Sequence, residues 1–266
     1  MLKSTPTTAA GLAADAYSSP AQLDRNASSD GRSLRTRPLL RKYEIAHLTS
    51  SHDIHETTRL APATPVFEHA FAALGRGAMV QTATGPVAVE DLLPGDQILT
   101  ADGRAVTLMW HGSMVIVPGT RNERAEMGTM TRMTAEALGP TRPSPDLVLG
   151  PAARMVHRGR GVNRITGSDA ALLPVRDFID QTSIIELTPV APVHCYQLGF
   201  EDHEILRING VELESLHPGA VHTLKLRPDM KDLFLSLFPH KSTFGDFGPM
   251  RLPRLNLRDL DIFDYA

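Results

Sequence analysis

The sequence predicts an all-β domain, and three observations carry that prediction. Short runs rich in Val, Ile, Leu and Thr recur from residue 66 to about residue 220. Turn signals separate them, as at Thr84-Gly85-Pro86, Pro94-Gly95-Asp96 and Asp102-Gly103. Aromatics make up only 5% of the chain, so the core must rest on Leu, Val, Ile, Ala and Met.

Residues 1–65 read as a flexible, loosely ordered N-terminal arm. Ser, Thr, Ala and Arg dominate it, with too few large apolar residues to offset the entropy of ordering. A short helix is expected over residues 39–48. Arg32, Arg35, Arg37, Arg41 and Lys42 form a basic cluster, read first as solvated and second as a contact for an acidic partner. His52 and His55 have no further ligand nearby, so no metal is expected there.

The β domain is expected over residues 66–220. Its strands are placed at 78–82, 87–89, 97–100, 106–111, 113–117, 146–149, 155–157, 183–187, 194–200, 204–208 and 211–214. Gly112 divides two of these runs and suggests a bent pair. Residues 120–145 are polar and read as a surface excursion with a helical turn at 134–138. Pro174 suits the start of a short helix over 175–179. Residues 221–266 are expected to form a helix near 232–238, ended by Pro239, and an extended tail anchored on the domain.

Composition narrows the function. A net charge of −3 does not support nucleic-acid or anionic-membrane binding through bulk electrostatics. Cys195 is the one cysteine, which excludes an intrachain disulfide and a cysteine-based zinc site. No apolar run approaches a membrane span, and no apolar leader marks a cleaved secretory signal. The expected location is the cytoplasm, or the exterior reached without a signal peptide. No P-loop, dinucleotide fingerprint, nucleophile elbow or zinc-protease motif is present, so no cofactor is expected.

Three ordered motifs resemble those of a bacterial Hint domain, the fold shared by hedgehog autoprocessing domains and inteins. The first has Gly77, Gly85, Val89, Asp91, Leu92, Gly95, Asp96, Ile98 and Leu99 at the family spacing. The second is Leu147-Val148-Leu149-Gly150-Pro151-Ala152-Ala153-Arg154-Met155, where Pro151, Arg154 and Met155 fit. The third runs from Val193 through Tyr196, His203 and Gly210 to Glu214-Ser215 and Pro218-Gly219. The resemblance implies a compact disc of long bent strands.

It also implies a chemistry: a nucleophile attacks the preceding peptide bond, and an imidazole protonates the departing nitrogen. The nucleophile position falls on Ala73 and the imidazole position on Ala153. Gly150 stands where the motif has Ser or Thr. His203 is the family-type imidazole that remains. Cys195 lies two residues before Gln197, the position some inteins use for an alternative nucleophile. No Asn ends the domain, so splicing is not expected. The expectation is a Hint domain without autoproteolysis, a folded non-catalytic module with a protein partner. Two alternatives stand beside it. One is self-cleavage by Cys195 with His203. The other is a β-sheet interaction domain that uses the basic residues 32–42.

Overall fold

The computed structural model describes residues 39–118 and 125–261. The strands, in chain order, are β1 (Leu40–Leu48), β2 (Ile54–Pro62), β3 (Leu74–Gly75), β4 (Met79–Thr82), β5 (Gly85–Ala88), β6 (Gln97–Leu99), β7 (Ala105–Thr107) and β8 (Trp110–Ile116). They continue as β9 (Met130–Met133), β10 (Leu147–Leu149), β11 (Arg154–His157), β12 (Ala171–Pro174), β13 (Ile184–Leu187), β14 (Val193–Gly199), β15 (Ile205–Ile208) and β16 (Val211–Glu214). Four short helices accompany them: α1 (Pro65–His69), α2 (Arg160–Thr166), α3 (Pro228–Leu235) and α4 (Leu257–Asp261).

Two antiparallel sheets result. The first has the order β13-β9-β10-β3-β14-β8-β1-β2, and the second β12-β11-β16-β15-β4-β6-β7, with β5 on β4. Adjacent residues of one strand face different cores. Tyr196 packs with Leu74, Leu149 and Ala153, whereas Cys195 packs with Met114, Met130 and Phe238. The second cluster holds most of the large rings. Trp110 packs against both Phe71 and Phe238, and its indole N–H donates to the Leu237 carbonyl at 2.9 Å.

The first motif builds turns. Gly95 takes φ +105°, and the Asp96 carboxylate accepts the Leu93 N–H at 2.9 Å. Asp91 ends a single 3₁₀ turn, and Leu92 after it is buried. Asn209 and Gly210, both at positive φ, close the two-residue hairpin between β15 and β16.

Several expectations differ from the structure. Residues 40–48 are a strand rather than a helix, paired to β2 over nine residues and to β8 over five. The loosely ordered arm expected to residue 65 is therefore a hairpin over much of its second half. The rest of that arm, with Arg32, Arg35 and Arg37, lies outside the described residues. Arg41 is not solvated, since it pairs with the buried Glu68 at 2.5 Å. The bent pair around Gly112 is one continuous strand, β8. A Cβ at Gly112 would meet the Trp110 ring 2.1 Å away, so the glycine makes room for the indole. The excursion at 120–145 contains β9, whose methionines are buried. The tail is tied down, with Leu172 donating to Pro253 O and accepting from Leu255 N.

Candidate functional site

The first position to locate is the peptide bond before Ala73. It lies just ahead of β3, between β14 and the loop that follows β10. The Ala73 N–H donates to Tyr196 O at 3.2 Å. The Gly150 N–H donates to Ala73 O at 2.8 Å, and the Ala152 N–H donates to Ala72 O at 2.9 Å. The bond therefore sits in a hydrogen-bonded ladder with both flanking residues buried.

Ala73 and Ala153 belong to one apolar cluster. The two positions to which the family motifs assign a nucleophile and an imidazole therefore both carry buried methyl groups. A Cβ at Gly150 would lie 2.2 Å from Ala72 O. The space that a Ser or Thr side chain would enter is occupied by the carbonyl of the bond in question. His157 lies at the far end of β11 with its ring on Phe178, 5.6 Å between centroids.

Cys195 and His203 rest against different partners. The Cys195 thiol points at the Met130 sulfur, 3.5 Å away, and burial pushes its pKa up to about 12. At neutral pH it is a protonated thiol inside the core. The His203 Nδ1 accepts the Arg251 backbone N–H at 3.0 Å. The ring's Nε2 faces Glu214 Oε1 at 3.1 Å.

Glu214 is the hub of this second constellation. Burial works to raise its pKa, but His203 and Arg254 outweigh that and hold it below the usual carboxylate value. Arg254 Nε donates to Glu214 Oε1 at 2.8 Å, and its terminal nitrogen donates to His217 O at 2.7 Å. Arg154 approaches the other carboxylate oxygen no closer than 3.8 Å.

A cavity of about 490 Å³ opens over these groups. Pro151, Ala152 and Arg154 form one wall, Gln197 and Glu214–His217 another, and Arg254 and Asn256 a third. Arg154 and His203 were legible from the motifs. Arg254 was not, because it reaches Glu214 from 40 residues away and stands in no motif. Among the described residues no group of three or more His, Cys, Asp or Glu is placed to hold a metal ion.

A protein-family model described as a Hint domain matches residues 72–220. Comparison with curated proteins found no match. Among solved structures, a splice-inactive, GSH-linked variant of the AceL NrdHF class 3 split intein is similar at 12% identity, with a TM-score of 0.37. The likeness covers 55% of this chain and 98% of that one.

Proposed function

The chain belongs to the Hint-domain family, and from that premise we propose that it is a non-cleaving member, a folded module that binds rather than cuts. The observation that carries this reading is the methyl groups of Ala73 and Ala153, both buried in one apolar cluster, together with a fully hydrogen-bonded Ala72–Ala73 peptide. Acyl transfer needs an attacking oxygen or sulfur and an exposed carbonyl carbon. Here the atom on the attacking side is carbon, and the carbonyl oxygen is packed on Gly150. Its partner on this reading is another protein.

The protein incubated with dithiothreitol, or separately with hydroxylamine, is expected to keep the mass of the whole chain. Intact-mass spectrometry reads this directly. Cleavage between Ala72 and Ala73 that disappears in a His203→Ala variant would overturn the reading. Thiol-dependent cleavage removed by Cys195→Ala would favour the rearranged nucleophile instead.

A further inference from the structure

A second cavity, of about 600 Å³, lies on the face of the first sheet to which β1, β2, β8 and β14 contribute. Thr58, Glu44, Ser113 and Tyr196, one from each of these strands, are direct neighbours in register, so their side chains stand in one row. Glu56, His111 and His194 line the cavity beside that row. Glu90 joins them from the 3₁₀ turn Val89–Asp91. Three carboxylates therefore line the cavity, and no Lys or Arg does.

Tyr196 is 8% exposed, and its hydroxyl makes no hydrogen bond to any described residue. That oxygen is not sealed off, so the opening it meets is the cavity that Tyr196 lines. A largely buried hydroxyl without a partner is costly unless a ligand or solvent supplies one. Burial and the nearby Glu90 raise the Tyr196 pKa, so at pH 7 it is a neutral hydroxyl with lone pairs to offer. His111 Nε2 donates to Val89 O at 3.0 Å and burial lowers the ring's pKa, so its Nδ1 is a further acceptor. Lys42 and Arg76 pair with Glu44 and Glu90, but both cations are exposed and stand outside the lining. Glu56 has no ion pair among the described residues.

We propose that this cavity binds a primary ammonium group, with the Tyr196 hydroxyl and the carboxylates of Glu44, Glu56 and Glu90 as its acceptors. The proposal rests on the reading of the chain as a protein-binding module, and it names the group the partner presents, a lysine side chain. A free amine shares this chemistry. An ammonium suits the cavity better than a guanidinium. Both oxygens of Glu44 are engaged, by Lys42 and Ser113, and both of Glu90, by Arg76 and the Gly77 N–H. Each oxygen keeps a lone pair for one more donor, but neither carboxylate offers the free edge that a bidentate fork takes. Among the described residues no three His or acidic groups converge closely enough to hold a metal ion, so an organic cation suits the cavity better than a metal.

Calorimetric titration of the full chain tests this. The probes are cadaverine and a short peptide, capped at both ends, whose central residue is lysine, acetyl-lysine or arginine. The lysine peptide is expected to bind, the arginine peptide to bind more weakly, and the acetyl-lysine peptide not to bind. Binding of cadaverine without the lysine peptide would overturn the lysine side chain as the source and assign the site to a free amine. Glu44→Gln and Tyr196→Phe are each expected to weaken lysine-peptide binding by about tenfold. Glu56→Gln is expected to weaken it by about threefold. Glu56 is exposed and without an ion pair, so this variant keeps the test open should the others fail to fold. Glu212→Gln, in the ion pair with Arg158 on the second sheet, is expected to leave binding unchanged. The proposal is overturned if neither the lysine peptide nor cadaverine binds, or if the acetyl-lysine peptide binds as well as the lysine peptide. Tighter binding of the arginine peptide, or binding unaltered in all three cavity variants, overturns it too. Intact mass measured on the same sample reports cleavage separately, so failure of this site and failure of the non-cleaving reading are distinguishable.

Discussion

At the scale of single residues, the altered motif positions are fitted to their surroundings as well as stripped of chemistry. Gly150 shows this most clearly. As a letter it reads as a lost hydroxyl. In the fold it admits the Ala72 carbonyl, which a side chain would strike at 2.2 Å. The obstacle is backbone, held by the Ala152 N–H, and cannot swing aside as a flexible side chain would. Gly150→Ala is therefore expected to lower stability by about 2–3 kcal/mol, through overpacking. A urea unfolding curve followed by Trp110 fluorescence measures it. Wild-type stability in that variant would mean that the loop moves freely away from Ala72. The sequence displayed these losses because each falls at a fixed place in a motif. It could not display that the vacated space is filled, since Ala72 and Gly150 meet only through the pairing of β3 with β10.

At the scale of elements, the runs bounded by Gly and Pro were legible, and those stabilised by distant partners were not. β15 and β16 pair through a two-residue turn, and local signals suffice for them. β1 hides in a basic, polar segment. Its inward residues Tyr43 and Ile45 are buried by a cluster drawn from distant parts of the chain, including Phe71 and, from β8 about 70 residues later, Met114. β2 is mostly exposed on its own account and gains its order from its full-length ladder with β1. β9 was masked by methionine, a weak strand signal that packs well once surrounded. The hairpin is pinned to α1 by Arg41, which reaches Glu68 and also donates to Val115 O. Arg41→Met is expected to cost about 3 kcal/mol, because the buried Glu68 carboxylate loses the Arg41 guanidinium. Hydrogen exchange should speed up in β1 and β2 more than in β15 and β16. Uniform exchange across both pairs would show that the hairpin is held by other contacts.

At the scale of the whole molecule, acid should unfold this protein early. His240 has both ring nitrogens buried without a hydrogen-bond partner, and burial brings its pKa down to about 3. His217 is lowered to about 4, chiefly by burial, and burial also lowers His111 and His47. The folded state refuses protons that the unfolded chain accepts from about pH 6.5 downward. Stability is therefore full above that pH and falls as pH drops through 6 toward 4 and 3. For His240 alone the loss by pH 4 is on the order of 3 kcal/mol. The carboxylates held low, such as Glu44 and Glu90, add loss of the same sign below about pH 4.5. Melting temperatures taken from pH 7 to pH 4 test this, and His240→Leu should flatten the profile. An unchanged slope in that variant would assign the acid sensitivity to other groups. The hairpin carries one more consequence. A domain that severs the bond before its first strand is useful only if what lies upstream can leave. Here the upstream stretch supplies Tyr43, Ile45, Phe67 and Phe71 to the ring-rich cluster, and β1 is laced to β8. A nick at that bond would leave two pieces clasped together, with no passenger set free, so the architecture has withdrawn the purpose of cutting as well as the means.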